Sequence, residues 1–373
     1  MKIRDFKLER YFAKHEFTAK YLLSSSDCDG YELKYVLENA SKRELELWEG
    51  MRLGYTESEG SSILREAILQ YYKIKTIEHV VVASPGELNF ISMNVLLNSG
   101  DHVITVSPSY QSLYEVVRSI GCTLSYWEPD QNTWEFNTDD LKNLFKSNTK
   151  LIILNFPHNP TGSYLTREQL NEIVAIAREK NLYIFSDEMY RKLIIDNLEE
   201  LPPICDLYEK GISLWGTSKS FGLAGLRIGW LVAQDLDFIR QVVAFKDYLS
   251  ICNSTPAEIA SVIALNHIDQ FLLPNIKKIK QNVLLFTQFA KAHDIIASFV
   301  PPKAGSTAFV KLSLENLSLD FSDRLVKEAG IMTVPAEMFE YPGKYIRVGF
   351  GRRSFPEVLE VFDNYLSNVK PGL

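Results

Sequence analysis

The chain has 373 residues, of which 46% are hydrophobic and 23% charged, with a formal net charge of −7. That length suits two domains, or one large domain with a satellite, and the composition is that of an ordinary soluble globular protein. The acidic balance excludes a dedicated nucleic-acid binder, and no apolar run approaches the length of a membrane span.

The opening "MKIRDFKLERYFAKHEF" is charged throughout and lacks the apolar centre of a signal peptide. Cys28, Cys122, Cys205 and Cys252 are scattered without paired spacing. They form neither a metal site nor a disulfide framework, and they suit a reducing, cytoplasmic setting.

From residue 80 short apolar runs alternate with amphipathic stretches. Strands are predicted at 80–84, 102–106, 122–126, 150–155, 182–187, 212–216 and 228–233. Several are continuous runs such as "VVVAS" and "KLIILN", the pattern of strands buried on both faces. Between them "TREQLNEIVAIAREK" starts on a capping box, Thr166 with Gln169, and carries Leu170, Ile173, Val174 and Ala177 as one stripe. Strand and helix in alternation imply right-handed crossovers and a mostly parallel sheet of about seven strands. After about residue 254 the pattern becomes helix-rich, then passes through "AGSTAFVKLSL" and "KYIRVGFG" to a last helix, "SFPEVLEVFDNYL". The expected division is an N-terminal arm (1–48) joining a small α+β C-terminal domain (271–373), and a large α/β domain (49–270).

Ligands of an open parallel sheet bind beyond the carboxyl ends of its strands. Chemistry-bearing residues stand there. "KLIILN" is followed by "FPHNPTG" with Asn159 and Pro160, "LYIFS" by Asp187 and Tyr190, and "ISLWG" by Thr217, Ser218 and Lys219. An amide, a carboxylate, a phenol and an amine thus converge on one rim. A lysine amine forms a Schiff base with an aldehyde, and a buried carboxylate needs a cation or a donor, such as a protonated pyridine nitrogen. Small residues around Lys219, together with Arg227, suit a phosphate. This set describes a pocket for pyridoxal 5′-phosphate.

"NPTG" at 159–162, "SDEMY" at 186–190 and "GTSKSFGLAGLRIGW" at 216–230 resemble, in order and spacing, the class I/II aminotransferase family of fold type I pyridoxal-phosphate enzymes. The resemblance runs from "GYTESEGSSILREAI" to "YIRVGF". It implies a transaminase moving an amino group between an α-amino acid and an α-keto acid through an aldimine on Lys219. Asp187 would pair the pyridinium, and Asn159 and Tyr190 would hold the ring oxygen. Arg227, Thr217 and Ser218 would face the phosphate, as would Gly86 and Glu87 at a helix N-terminus. Tyr110 would stack on the ring, and Arg347 would clamp the substrate carboxylate, with Asn159 beside it. Tyr55 would reach the phosphate of a neighbouring subunit, implying a homodimer with shared active sites. The prolines Pro108 and Pro160 sit where the family often has cis peptide bonds.

Two positions depart from the family pattern. The turn before its phosphate-binding helix reads Ser84, Pro85, Gly86, Glu87 here, and Gly216 stands where a serine is common. Pro85 supplies no N–H, so one backbone contact to phosphate is expected to be missing. The same pocket supports other outcomes: a cyclase, lyase or oxidase of an arginine-like amino acid on the same fold. Glu16, Asp27 and Asp29 in the arm are acids that suit a guanidinium.

Overall fold

The computed structural model describes residues 2–195 and 197–368. Seven strands form the main sheet: β1 (Val80–Ala83), β2 (His102–Val106), β3 (Thr123–Trp127), β4 (Thr149–Asn155), β5 (Tyr183–Asp187), β6 (Gly211–Gly216) and β7 (Gly229–Ala233). Each lies within one residue of its expected bounds. Their order is β1-β7-β6-β5-β4-β2-β3. Only β7 runs antiparallel, to both β1 and β6. The others pair in parallel.

The continuous apolar runs are explained by burial on two faces. Along β1, Val81 and Ala83 join one hydrophobic cluster while Val80 and Val82 join another. Ile184 and Phe185 of β5 split in the same way. The helix Arg167–Glu179 covers one of these faces; it begins on the Thr166–Gln169 capping box and buries Leu170, Ile173, Val174 and Ala177. The helix Pro85–Leu96 follows β1. Ser84 caps it by accepting from the Glu87 N–H, and Pro85 occupies its first turn, where a missing N–H costs nothing.

The C-terminal part contains a second, antiparallel sheet. Its strands are β8 (Ile296–Ser298), β9 (Thr307–Leu312), β10 (Val334–Pro335) and β11 (Tyr345–Gly349), in the order β10-β11-β9-β8. The N-terminal arm is fastened to this part and to the large sheet's helices. Tyr21–Leu22 pairs in parallel with Ile331–Met332. The Arg4 guanidinium meets Glu115 (Nε–Oε1 2.8 Å), and the Lys7 N–H donates to the Gln111 side chain at 2.8 Å. At Gly349 the arm lies directly on β11: a Cβ there would stand 1.7 Å from the Ser25 carbonyl oxygen. Only glycine admits that contact, and it carries Ser24–Ser26 to the end of the main sheet. The peptide bonds before Pro108 and Pro160 are cis, as the resemblance implied, and so is that before Pro157.

Candidate active site

Strand register sets the first part of the site. Asn155 at the end of β4 pairs with Asp187 at the end of β5, and Asp187 pairs with Leu214 of β6. The chain leaves all three strands at this edge, so Asn159, Asp187, Tyr190 and Lys219 emerge together. With Arg227 and Arg347 they line one cavity of about 420 Å³, closed on another side by the arm residues Leu8, Glu9, Phe12, Glu16, Ser26 and Asp27.

Asp187 is buried, and among the described residues its Oδ1 accepts only the Met189 N–H, at 3.1 Å. Burial holds its carboxyl up at about 6, against the milder opposing pull of that N–H and of Lys219. A carboxylate so placed gains from a cation brought into the cavity. Glu188, the next residue, is not part of the cavity lining; its Oε1 accepts from the Ile204 N–H and the Ser213 hydroxyl, and burial raises it to about 7.

The Lys219 amine donates to the Ser26 hydroxyl at 3.0 Å and is otherwise open to the cavity. Its loop is tied to the arm where Gly222, at φ +70°, comes within 4 Å of the arm backbone: a Cβ there would meet the Asp29 carbonyl at 2.8 Å.

The Arg347 side chain is almost fully buried, and burial pulls its pKa down. Nε and Nη2 donate to the Ser24 carbonyl (3.3 and 3.0 Å), and Nη1 donates to Asn159 Oδ1 (3.2 Å). Three of the five guanidinium N–H groups are engaged, which leaves one on each terminal nitrogen, the pair that binds a carboxylate in a fork. The rings of Phe12 and Phe339 flank it at 5.7 and 5.6 Å.

Two further groups await a partner. The Tyr190 hydroxyl and the Ser218 hydroxyl are buried in the lining and make no hydrogen bond among the described residues. Orphaned polar atoms of this kind cost free energy unless a ligand satisfies them. Tyr110 also lines the cavity, its ring against Phe6 (centroids 4.9 Å apart) and its hydroxyl donating to Glu9 Oε1 at 2.8 Å. Gly86 lines it as well, with open space where a Cβ would be. Arg227 reaches the cavity from an exposed position with left-handed backbone (φ +56°).

Three of the expected residues stand elsewhere. The Thr217 hydroxyl is buried and spent on backbone, donating to the Ile228 carbonyl at 3.1 Å, so it does not face a phosphate. Its role is to fasten the start of the lysine loop to Ile228, the residue just before β7. Glu87 turns outward: its side chain accepts the Ser250 N–H at 3.2 Å and its own N–H serves the Ser84 cap. Tyr55 is 90% exposed and outside the lining, so within one chain it touches none of this site.

The structure also explains Gly216. It pairs across the sheet with Gly229, and a Cβ on Gly216 would lie 2.9 Å from both the Gly229 Cα and the Ile228 carbonyl. A Cβ on Gly229 would in turn meet the Pro85 ring at 2.6 Å. Pro85, Gly229 and Gly216 are one packing unit, so the two departures noted in the sequence are coupled through Gly229.

Some members of the site were not read from the sequence. Asn155 ties strand to turn, accepting the Asn159 N–H at 3.1 Å and donating to the Asp187 carbonyl at 3.3 Å. Its place as the polar last residue of an apolar strand was the available signal. Asn89 donates to Ser112 at 2.8 Å and keeps a buried, unpartnered Oδ1 beside the cavity. Glu9, Phe12 and Ser26 come from the arm, where no local pattern marks them.

The donor set fits pyridoxal phosphate. The cavity holds an amine for its aldehyde, a buried carboxylate for its pyridinium and unpartnered hydroxyls for its oxygens.

Comparison with known proteins agrees. The profile of the family described as aminotransferase class I and II matches residues 18–360. A glutamate-pyruvate aminotransferase AlaA of Haemophilus influenzae is 31% identical over 297 residues, 73% of this chain and 71% of that protein. Capreomycidine synthase of Streptomyces vinaceus is 28% identical over 275 residues, 73% of this chain and 70% of its own length. The crystal structure of a PLP-dependent aminotransferase from Streptococcus suis superposes with a TM-score of 0.92 at 29% identity, covering all of both chains. With the profile spanning nearly its whole length and the lysine, carboxylate and arginine gathered in one cavity, the chain belongs to the class I and II aminotransferase family, fold type I, with pyridoxal phosphate as its cofactor.

Proposed function

We propose that this enzyme transfers an amino group from an α-amino acid to an α-keto acid, with Lys219, Asp187 and Arg347 as its principal residues. The observation that carries the reading is that the Lys219 amine, the buried Asp187 carboxylate and the two free N–H groups of Arg347 share one cavity.

Bound pyridoxal phosphate would supply an aldehyde carbonyl for Schiff-base formation and an electron sink for the charge left when the substrate Cα–H bond breaks. The protein's share follows from its residues. Arg347 binds the substrate carboxylate through its two remaining N–H groups and so orients Cα. Lys219 Nζ takes the Cα proton, acting as general base within the cavity. Asp187 keeps a proton on the ring nitrogen, because an anion buried this deeply is stabilised by the cation it faces. Tyr190 Oη and the Asn159 amide nitrogen donate to the ring oxygen. Ser218, Arg227 and the N-terminus of the helix at Gly86 receive the phosphate. Leu8 and Phe12 of the arm shield the cavity from water.

The unit that works is a homodimer. Tyr55, Leu53 and Tyr248 are 90%, 83% and 90% exposed, large surfaces that a second copy would cover, and Tyr55 would then serve the partner's phosphate site. The four unpaired cysteines support a cytosolic setting.

A second reading, a cyclase, lyase or oxidase of an arginine-like amino acid, is favoured by one observation: the acids Glu16 and Asp27 line the cavity. The test is to incubate cofactor-loaded enzyme with single amino acids and identify products. Stoichiometric α-keto acid with the aminated cofactor supports transamination. Oxygen uptake, or a cyclised or eliminated product in its place, sinks it. Lys219→Ala should abolish the visible band of the lysine-bound cofactor and lower turnover by about a thousandfold or more.

A further inference from the structure

We propose that the substrate amino acid carries a positive charge on its side chain, an ammonium or a guanidinium, received by Glu16 with Asp27 beside it. The inference rests on the transamination reading only for the placement of the substrate carboxylate at Arg347.

The arm helix Lys7–His15 ends at Glu16, and both Glu16 and Asp27 face the cavity that holds Lys219 and Arg347. The acids near this wall differ in what they already hold. Glu9 accepts the Tyr110 hydroxyl at 2.8 Å. Asp29 is paired with Lys278 at 2.6 Å and is not part of the lining, so it is excluded as a substrate contact. Asp27 meets Arg352 at 2.9 Å through Oδ2. Glu16 is different: among the described residues its carboxylate makes neither an ion pair nor a hydrogen bond. Partial burial, with Asp27 and Glu9 nearby, pushes its pKa up against the weaker pull of Arg352 and Lys219, neither of which pairs with it directly.

The buried hydroxyls of Tyr190 and Ser218, unpartnered among the described residues, line the same cavity and answer to the cofactor, which leaves Glu16 on the arm wall for the substrate side chain. A substrate anchored at Arg347 and extending to the arm would displace water from Glu16. A second carboxylate at that point would add like charge, and an apolar side chain would leave Glu16 desolvated and unpaired. An ammonium or guanidinium satisfies it.

The experiment titrates cofactor-loaded enzyme with L-lysine, L-arginine, L-glutamate and L-norleucine, following the visible band and measuring keto acid in the same samples. Norleucine matches lysine in chain length and lacks the charge. Lysine or arginine should bind at least about tenfold more tightly than norleucine, the value of a charge-assisted contact. Glu16→Gln should reduce that ratio to about twofold or less, whereas Asp29→Asn, outside the cavity, should leave it intact. Norleucine or glutamate binding as tightly as the cationic amino acids overturns the inference, as does a ratio that survives Glu16→Gln. If cationic amino acids are preferred but no keto acid forms, transamination fails while the charge preference stands. If keto acid forms best from glutamate or norleucine, the charge preference fails while transamination stands. No response to any of the four overturns both.

Discussion

Replacing Asp187 by Asn should abolish catalysis by the cofactor-loaded enzyme and yet stabilise the cofactor-free fold, increasingly so as pH rises. The carboxyl ends β5 inside the cavity, accepts one backbone N–H, and is held near 6 by burial against a reference of 3.8. Its folded pKa lies above the unfolded one, so folding is favoured while both states keep the proton. That advantage disappears as pH rises through 4 to 6, where the unfolded chain ionises freely and the native one resists. Above pH 7 the full shift makes the charged native form about 3 kcal/mol less stable than an uncharged equivalent. At pH 5 only part of this penalty has developed, and linkage puts the change between pH 5 and pH 8 at about 1.4 kcal/mol. The Asn side chain keeps an oxygen for the Met189 N–H and carries no charge. Urea denaturation of both proteins at pH 5 and pH 8 measures the difference, and contributions from Glu188 and other titrating groups cancel in it. The stability gap in favour of Asp187→Asn should widen by about that amount. A gap independent of pH, or one that narrows, would refute the claim that Asp187 is an uncompensated buried acid awaiting a cation. Adding the cofactor should then stabilise the wild type more than the variant.

Other substitutions probe other parts of the site. Gly216→Ser restores the serine common in the family but drives a Cβ into the Gly229 backbone; thermal or urea denaturation should show a loss of about 1–3 kcal/mol, and unaltered stability would disprove the packing account. Arg347→Lys keeps the charge and loses the fork, so steady-state kinetics should show kcat/KM lowered by about 10- to 100-fold, with a higher KM for every amino acid. Tyr110→Phe removes the hydroxyl that donates to Glu9 and should cost about 0.5–1.5 kcal/mol in stability while loosening the arm, read as faster amide exchange over Lys7–His15.

Much of this was legible in one dimension. The seven strands of the main sheet are short apolar runs closed by polar residues, and that signal is local. So is the capping box at Thr166. Asn159, Asp187, Tyr190 and Lys219 could be assembled because each stands within a few residues of a strand's carboxyl end. Thr217 was misread for the same reason: a hydroxyl beside the key lysine looks available, and only the nearby Ile228 carbonyl shows that it is not. Glu87 sits at a helix start, as expected, but its rotamer carries it to Ser250.

The arm shows where local reading stops. Leu8, Glu9, Phe12 and Glu16 form an ordinary amphipathic pattern, and nothing in it says which surface they cover. Their place is decided by contacts more than a hundred residues away in sequence, such as Lys7 with Gln111 and Arg4 with Glu115. The chemistry is thus inscribed in the sequence, because strand ends, turns and a lysine loop are specified by neighbours along the chain. What lies opposite that chemistry was decided only by tertiary structure. The contact of Ser25 with Gly349, the sharing of Arg347 between Ser24 and Asn159, and the exposure of Glu16 to the cavity depend on distances between segments, which no local pattern encodes.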